Sequence, residues 1–562
     1  MSLRGALRKK VDSFTSRGKT KYPDITIKEP GHIAFFPSMK KSADIDIKYP
    51  LLEPFSSANI KWDPVKKSLV YKILEPQLSP KETEYLETIK KGLINLLDVE
   101  LSEIRKSGET FDYIKKKVED VLEDDGISLA TETYSKVIYY IYRDFVGFNE
   151  IESIFHDPYI EDIGCSGLEI PVFVVHRKFG SIETNVIYKN ADYLNNFVIK
   201  LAERCGRYIS YAKPLLDGSL PDGSRVQATL AKDVTTKGPT FSIRKFRVDP
   251  FSPVDVINLG TASPELMAYV WTAVESKSSI LICGGVSTGK TTFLNCISMF
   301  IPPEDKIVSI EDTRELNLPH ENWIPSVSRT GFGVPEEEGR RYGEVTLFEL
   351  LKESFRQNPD YVIVGEVRGK EAYVMFQGMA SGHASIGTMH AGSVEDVIKR
   401  LETSPINLSP SLLETLDMII LMTHAKEKGK SARRVKDVVE IESIDPQTGT
   451  AHTTRSFTWM PSSDSYGSKL DDSYLMKKIS FERGISYPEM RKEMEKRVQV
   501  LKWMIKHNIT DFQEVCRMIN LYYKDQPSLM EWVKNNTPPY KTKSKEGVEK
   551  LWETATGLKV ME

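Results

Sequence analysis

One run of eight residues has the composition and spacing of a loop that binds phosphate groups. Residues 284–291 read Gly-Gly-Val-Ser-Thr-Gly-Lys-Thr and match the pattern GxxxxGK[ST] in full. Glycines let successive backbone N–H groups converge on phosphate oxygens, and the N-terminus of a following helix adds a favourable dipole. Lys290 can then reach the β- and γ-phosphates, while the Thr291 hydroxyl can bind Mg²⁺. The run predicts a site for ATP and Mg²⁺ with contacts from Gly284, Ser287, Thr288, Gly289, Lys290, Thr291 and Thr292.

Acidic residues at the ends of two apolar runs could complete the chemistry of this loop. The run Tyr361–Val364 predicts a buried strand, and Gly365 and Glu366 follow it. Ligands bind at the carboxyl ends of the strands in open α/β sheets. Gly365 stands where many related loops carry Asp, so Glu366 is the acid, either as a water-mediated ligand of Mg²⁺ or as a group that polarises water. Glu311, after the apolar run 307–310, is predicted to orient the attacking water.

The sequence around these residues predicts an α/β fold. Short apolar runs at residues 279–283, 307–310 and 361–364 are separated by stretches long enough for helices. Buried strands with intervening helices are typical of a parallel sheet that is covered on both faces. We therefore expect an ATPase domain over residues 263–455, in which residues 426–436 form a solvated hairpin turn. A helical C-terminal region is expected over residues 456–562.

Upstream of this domain the pattern of the sequence changes several times. Residues 1–25 are rich in Lys and Arg and predict a flexible tail, with contact to a membrane surface or an acidic partner as the alternative. Apolar residues at helical spacing predict a mainly helical domain over residues 26–125. Alternating segments and turn-forming residues predict a small α/β domain over residues 126–248. The proline-bearing stretch 249–262 is predicted to be a flexible linker.

Composition restricts the class of protein. The chain of 562 residues carries a net charge of -3, which argues against a dedicated nucleic-acid binder. No apolar run approaches the roughly 18 residues of a membrane span, and none follows the basic start as in a signal peptide. The five cysteines are scattered singly, which is typical of reduced thiols in a cytosolic protein and not of a zinc site. We expect a cytoplasmic protein with two to four domains.

Several motifs, taken together, resemble those of the secretion and type IV pilus ATPases, a family that includes type II secretion, conjugation and archaellum motors. The resemblance covers roughly residues 74–523. The chain lacks the four-cysteine zinc insert of many bacterial members, and its terminal regions look more like the archaeal branch. The motifs are the Walker B region at 356–369, the histidine box at 381–392, the aspartate box at 310–312, and N-domain signatures at 217–225 and 242–245.

This resemblance implies a fold, an assembly and further site residues. The fold would be a RecA-like P-loop NTPase domain preceded by a small α/β (PAS-like) domain, assembled as a homohexamer. His383 and His390 would lie in the catalytic cleft and report on the γ-phosphate. Arg225 and Arg244 would reach γ-phosphate oxygens from the smaller domain. The partners would be a polytopic membrane platform protein and a pilin-like or archaellin-like filament system, at the inner face of the cell membrane and without nucleic acid.

Two other functions are compatible with the same phosphate loop. A nucleic-acid translocase is one, because translocases and helicases share this ATPase core. The near-neutral charge and the absence of a basic, aromatic-lined groove in the sequence count against it. An assembly scaffold that binds ATP with negligible turnover is the other. The presence of Lys290, Thr291, Glu311 and Glu366 together argues against a scaffold.

Overall fold

The structure of the chain is a computed structural model. It describes residues 22, 25–29, 42–96, 107–230, 232–246, 249–329, 331, 341–427, 430–445 and 450–538. The chain divides into two compact units, Met1–Phe246 and Arg247–Glu562. Of the predicted basic tail, residues 1–25, only Tyr22 and Ile25 lie among the described residues.

The first unit is built on a mixed sheet whose strands are almost all antiparallel. The strands are β1 Asp46–Leu52, β2 Ser56–Asp63, β3 Ser68–Leu74, β4 Ile160–Cys165, β5 Pro171–His176, β6 Gly180–Ile187, β7 Leu215–Ser219, β8 Arg225–Thr229 and β9 Thr240–Arg244. They lie in the order β1-β2-β3-β6-β5-β4-β9-β8-β7, and only β3 and β6 pair in parallel. The helices are α1 Pro80–Leu96, α2 Ser107–Asp124, α3 Thr131–Ile141, α4 Glu152–Phe155 and α5 Ala191–Arg204.

Strands β1, β2 and β3 correct the prediction of a mainly helical domain over residues 26–125. They form an antiparallel meander, and β3 joins the sheet of the predicted small α/β domain through Val70 and Tyr71. Residues 26–125 and 126–248 therefore share one sheet. The alternation in β2 is weak in the sequence because, of its buried residues, Ser56 is polar and Ala58 is small and only weakly apolar.

The second unit contains the phosphate loop and a sheet that is parallel in one half. Its strands are β10 Ile280–Gly284, β11 Ile307–Glu311, β12 Trp323–Val327, β13 Tyr361–Val364, β14 Ala384–Met389, β15 Met418–Glu427, β16 Lys430–Ile444, β17 Ala451–Met460 and β18 Ser465–Ser468. The order is β12-β11-β13-β14-β10-β15-β16-β17-β18, parallel from β12 to β15 and antiparallel beyond. The helices are α6 Pro253–Asn258, α7 Pro264–Glu275, α8 Lys290–Ser298, α9 Leu347–Ser354, α10 Glu371–Ala380, α11 Val394–Glu402, α12 Pro410–Leu413, α13 Tyr474–Glu482, α14 Tyr487–Lys506, α15 Phe512–Lys524 and α16 Gln526–Lys534.

Helices cover both faces of the parallel half, which confirms the predicted architecture. Along β10, Ile280 and Ile282 belong to the core formed with helices α7, α8 and α13–α15, whereas Leu281 and Cys283 belong to the core formed with α10 and α11. Successive residues of a strand point to opposite faces, so a strand that is buried on both sides must be apolar throughout. All residues of β10, β11 and β13 are buried. Strands β10 and β13 meet the requirement, whereas β11 contains Ser309, whose hydroxyl accepts a hydrogen bond from the Trp323 indole N–H at 2.9 Å.

The predicted linker, residues 249–262, contains helix α6 and is part of the second unit. The Ser252 side chain accepts a hydrogen bond from the Asp255 N–H, and the Asp255 carboxylate accepts one from the Ser252 N–H. Such a capping box starts a helix. Val254 and Val256 are buried in the core. The prediction of a flexible linker is therefore wrong for this helix. Its proline lies in the first turn, next to the cap, where proline is compatible with a helix.

The C-terminal helices are present as predicted, but they begin later than residue 456. Strands β17 and β18 first extend the sheet, and helix α13 follows. The helices then pack against α7, where the Trp271 indole N–H donates to the Tyr523 hydroxyl at 2.8 Å. Trp271 also stacks on Phe300 with ring centroids 4.9 Å apart. In the described part of the chain, no helix has both the length and the apolar composition required to cross a membrane.

Candidate functional site

The phosphate loop lies between strand β10 and helix α8, as its motif predicts. Its backbone adopts two left-handed conformations, with φ of 58° at Ser287 and 90° at Gly289. Gly284 admits no side chain, since an added Cβ would lie 2.6 Å from the Thr288 hydroxyl and 2.7 Å from the Met422 carbonyl oxygen. These constraints explain why the loop needs glycine where the strand ends and where the helix starts.

The Lys290 ammonium lies inside the loop and begins a chain of polar contacts. It donates to the Gly285 carbonyl oxygen at 2.9 Å and lies 3.2 Å from Nδ1 of His390. An ammonium can only donate, so Nδ1 accepts and the proton of a neutral imidazole sits on Nε2. Nε2 faces Oε1 of Glu366 at 3.2 Å. Burial and the charge of Lys290 lower the pKa of His390, which agrees with a neutral ring.

Glu366 is an ionised carboxylate with both oxygens in use. One oxygen faces His390, and the other accepts a hydrogen bond from the Arg368 guanidinium. Burial raises the pKa of Glu366, but the hydrogen bond and charge of Arg368, with the charges of His390 and Lys290, bring it below its usual value. Arg368 also lies 3.7 Å from Asp312. Sequence reasoning missed Arg368, although a spacing of two residues places side chains on the same side of an extended segment.

The residues fit a magnesium ion held partly through water. Thr291 follows Lys290 in the first turn of α8 and is half-buried. Its hydroxyl oxygen is of the kind that binds Mg²⁺ in phosphate loops of this pattern. Because both oxygens of Glu366 have protein partners, this carboxylate is better suited to hold metal-bound water than the metal itself. Thr292 is exposed on the next position of the helix.

Glu311 lies at the carboxyl end of β11 and is almost fully buried. Its Oε1 accepts hydrogen bonds from the N–H groups of Glu315 and Leu316 at 2.9 and 3.0 Å. Its Oε2 is buried without a hydrogen-bond partner among the residues that the structure describes. Burial raises the pKa of Glu311 to about 7, although the two amide hydrogen bonds act in the opposite direction. A carboxyl group with this pKa can exchange a proton near neutral pH.

Gly365 makes room for Glu311. A Cβ at this position would lie 3.0 Å from Cγ and 3.4 Å from Cβ of Glu311. The backbone of Gly365 is held on both sides, because its N–H donates to the Ile310 carbonyl at 2.9 Å and its carbonyl accepts from the Thr388 hydroxyl at 2.6 Å. A larger residue at position 365 could not move away. A side chain at position 365 would therefore press on Glu311 and displace it.

We expect Gly365→Ala to lower the rate of ATP hydrolysis by on the order of 10-fold or more, since it would shift Glu311, the residue that the sequence predicts to orient the attacking water. The affinity for ADP should change little, because the phosphate loop is not touched. Phosphate release and ADP titration measure the two effects. Gly467→Ala is the control, since an added Cβ there meets only ordinary contacts at 3.8 Å and beyond. An unchanged rate in Gly365→Ala would contradict this account of the glycine.

The structure separates His383 from His390 and corrects the prediction that both lie in the cleft. His383 precedes strand β14 and His390 follows it, with six residues between them. At about 3.3 Å per residue, a strand of six residues places the two rings at opposite ends of β14. His383 Nδ1 donates to the Pro359 carbonyl oxygen at 3.2 Å, and its ring packs against Phe355 at 5.1 Å. Of the two histidines, only His390 contacts the phosphate loop.

Arg225 and Arg244 lie in the first unit and directly face each other on β8 and β9. Arg225 Nη2 is 3.2 Å from an oxygen of Asp217, and Arg244 Nε is 3.1 Å from an oxygen of Asp162. Both guanidinium groups remain accessible, with 39% and 69% of their side chains exposed. Like charges directly opposite on neighbouring strands repel each other. Each guanidinium has its own carboxylate partner, which reduces the repulsion between the two arginines.

The hairpin of β15 and β16 contributes two contacts that sequence reasoning missed. His424 Nε2 lies 3.2 Å from the Val286 carbonyl oxygen, and Arg433 Nε lies 3.2 Å from the Ser287 carbonyl oxygen. The next residue, Arg434, is buried and pairs with Asp464 at 2.8 Å. The prediction of a solvated turn over residues 426–436 is therefore corrected at these positions. No local signal existed, because the partners are more than 130 residues apart in the chain.

Known proteins similar to this chain were found by sequence and by structure. The sequence family described as "Type II/IV secretion system protein" matches residues 174–459, and "PilB3-like, C-terminal" matches residues 463–538. An uncharacterised protein of Methanocaldococcus jannaschii is 35% identical over 512 residues, which covers 90% of each chain. The type IV secretion system protein PtlH of Bordetella pertussis is 31% identical over 279 residues, 44% of this chain and 80% of PtlH.

Among solved structures, the VirB11 ATPase of the Brucella suis type IV secretion system is 24% identical. The match covers 50% of this chain and 89% of VirB11, with a TM-score of 0.26. The first family covers half of the chain, and its range contains the phosphate loop, Glu311, Glu366 and His390. The chain therefore belongs to the type II/IV secretion system protein family.

Proposed function

We propose that the chain hydrolyses ATP to power assembly or secretion by a membrane-anchored machine of the type IV pilus, archaellum or type II secretion kind. The observation that carries this proposal is the set of side chains at the carboxyl edge of the parallel strands. Lys290, His390 and Glu366 form a contact chain there, and Glu311 lies at the end of the strand next to β13. Membership of the secretion ATPase family supports the same function.

The roles of these residues follow from their chemistry. The backbone N–H groups of the loop and Lys290 would hold the β- and γ-phosphates. Thr291, and Glu366 through water, would hold Mg²⁺, which when bound neutralises charge on the phosphate oxygens. Lys290 would exchange its contacts with Gly285 and His390 for phosphate oxygens. Each of these contacts is a hydrogen bond that a phosphate oxygen could accept equally well.

Glu311 would act on the water that attacks the γ-phosphate. Its unpartnered Oε2 is the atom available for a hydrogen bond from that water, while the two amides fix the other oxygen. A fixed, desolvated carboxylate orients water and accepts its proton as the new oxygen–phosphorus bond forms, while the bond from the γ-phosphorus to the bridging oxygen breaks and ADP leaves. This assignment makes Glu311 the water-orienting acid and leaves Glu366 to the metal.

A phosphate-release assay on the purified chain tests the function directly. We expect turnover of ATP that requires Mg²⁺ and stops when EDTA is added. ATP binding without turnover would support the scaffold alternative, and a strong stimulation by DNA would support a nucleic-acid motor. Sizing of the protein with a non-hydrolysable ATP analogue tests the proposed homohexamer. Co-purification with a polytopic membrane protein tests the proposed association with the inner face of the membrane.

We further propose that Arg225 and Arg244 bind γ-phosphate oxygens, as the family resemblance implies. The Arg225→Ala, Arg244→Ala double variant should lose ATP turnover by roughly 100-fold or more, because arginines at a transferring phosphate stabilise its developing charge. ADP affinity should be preserved, since ADP lacks those oxygens. In the wild type, hydrogen exchange of residues 246–259 should slow with the ATP analogue but not with ADP, because only the analogue has the γ-phosphate oxygens that the arginines would hold. In the double variant, the two nucleotides should give the same exchange.

The control for this double variant is Arg177→Ala. Arg177 is an exposed arginine of the same unit and lies 3.6 Å from Glu161. The proposal for the arginine pair fails if the double variant hydrolyses ATP at the wild-type rate. It also fails if ADP and the ATP analogue protect residues 246–259 equally.

A further inference from the structure

The outer side of the phosphate loop is held by a pair of side chains that face each other across a hairpin. His424 on β15 and Arg433 on β16 are directly opposite in the register of the two strands. They contact successive carbonyl oxygens of the loop, those of Val286 and Ser287, each at 3.2 Å. A carbonyl oxygen can only accept, so Nε2 of His424 carries the proton and donates.

Apart from the hairpin, this part of the loop is held by a hydrogen bond across it, from the Thr288 hydroxyl to the Gly285 carbonyl oxygen at 3.0 Å. The Val286 side chain is 76% exposed, so packing holds it only weakly. Ser287 has a φ of 58°, a conformation that is unfavourable for a residue with a side chain. A strained and exposed backbone keeps its shape only if other groups fix it. The two donors from the hairpin are side chains that can do so.

The geometry of the peptide bond connects these contacts to phosphate binding. In a planar trans peptide the C=O and the following N–H point in opposite directions. The Val286 carbonyl shares its peptide with the Ser287 N–H, and the Ser287 carbonyl shares its peptide with the Thr288 N–H. When the hairpin holds both carbonyls, both N–H groups point away from the hairpin. These are N–H groups of the kind that a phosphate loop directs at its ligand.

We propose that His424 and Arg433 are positioning residues that keep the phosphate loop in its anion-binding shape. The β15–β16 hairpin thereby sets the affinity for nucleotide without touching the reacting atoms. The charge of Arg433 adds a favourable long-range interaction with the phosphates. This inference rests on the proposed function, since it requires that the loop binds a nucleotide.

Nucleotide binding by single variants tests the inference. In His424→Ala and in Arg433→Ala we expect the Kd for Mg-ADP and the KM for ATP to rise by roughly 10-fold. Each variant loses one hydrogen bond to a carbonyl of the loop, and with it the fixed direction of one N–H group that would bind a phosphate oxygen. The kcat at saturating ATP should remain within about 2-fold of the wild type, because nothing at the reacting atoms changes. A residue that only stabilised the fold would lower the melting temperature without nucleotide and would not separate KM from kcat.

Conservative variants separate the hydrogen bond from the charge. His424→Gln keeps an N–H donor and should recover most of the affinity. Arg433→Gln keeps a donor without the charge, and Arg433→Lys keeps the charge with a different donor. If the hydrogen bond dominates, Arg433→Gln should bind more tightly than Arg433→Ala. Lys436→Gln removes a charge from the same strand at an exposed position and is the matched control.

The outcomes distinguish this inference from the proposed function. If the wild type binds no Mg-ADP or ATP, the proposed function fails. If the wild type binds nucleotide and both alanine variants bind it equally well, the proposed function stands and the role of the hairpin is refuted. Hydrogen exchange at the amides of Ser287 and Thr288 should speed up in the nucleotide-free alanine variants. Should an alanine variant fail to fold, His424→Leu and Arg433→Met, which keep bulk but carry no donor, replace it, and wild-type affinity for Mg-ADP in both refutes the role of the hairpin.

Discussion

Lys290→Ala should abolish ATP hydrolysis and weaken ATP binding by roughly 100-fold, since two charge-assisted hydrogen bonds to phosphate oxygens are lost. The fold should persist. Burial lowers the pKa of Lys290 although the charge of Glu366 opposes this, so the buried ammonium is itself costly in the protein without nucleotide. Removing it costs two hydrogen bonds and relieves that desolvation. Titration with a fluorescent ATP analogue and a phosphate-release assay measure the two effects.

The control for this variant is Lys352→Ala. Lys352 is an exposed lysine on helix α9 of the same unit, so the variant makes the same change of charge at a position away from the loop. A melting curve without nucleotide shows whether Lys290→Ala remains folded. Near-normal turnover in the folded variant would refute the role of the loop in catalysis.

Glu311→Gln should keep ATP binding but lose turnover by about 100-fold or more, the size of effect seen when a general base is removed. The amide oxygen of glutamine can still accept the hydrogen bonds from Glu315 and Leu316. Its NH₂ group, however, cannot accept a proton from water. Steady-state turnover and the Kd of an ATP analogue measure the two effects. An equal loss of binding and turnover would make Glu311 a magnesium ligand or a structural residue.

The pH dependence gives an independent measure of the same group. Burial raises the pKa of Glu311 to about 7, so its carboxylate form becomes populated as pH rises through 7. The kcat/KM of the wild type should therefore rise between about pH 6 and 8. Glu311→Gln should lack this rise in its residual activity.

The free energy of unfolding of the wild type should fall over the pH range in which its kcat/KM rises. The folded state of the wild type keeps a proton on Glu311 between the usual pKa of 4.5 and about 7, where the unfolded chain has released it. The wild type should therefore lose stability as pH rises through this window, by about 3 kcal/mol at most. Glu311→Gln carries no such proton, so its stability relative to the wild type should increase from pH 5 to pH 8. Urea unfolding at both pH values measures this.

The sequence predicted the centre of the site because the signals there are local. The phosphate loop requires glycines at fixed positions between a strand and a helix, and all of these positions fall within eight residues of sequence. Strands β10, β11 and β13 were predicted to within one residue at each end, since strands buried on both faces are mostly apolar. The parallel sheet with helices on both faces followed from the same pattern.

Contacts between distant parts of the chain could not be predicted in this way. Nothing near His424 or Arg433 indicates that their partners lie at the phosphate loop. The misplacement of His383 was avoidable, because the six residues between the two histidines, if they form a strand, put them at opposite ends of that strand. The capping box at Ser252 was likewise visible in the sequence. The weak alternation of β2 was a real limit, since small residues such as Ala58 carry little signal.

The packing of Trp271 has a consequence for the evolution of this chain. Its ring lies between Phe300 of the ATPase core and Tyr522 of the C-terminal helices, with centroids 4.9 Å from each. If the chain ended after β18, this aromatic surface would face water and would favour aggregation. The C-terminal helices are thus not a module that can be exchanged between related proteins while the rest of the second unit stays unchanged. These helices and the core must be inherited together, and a substitution on one side of Trp271 restricts which substitutions are tolerated on the other.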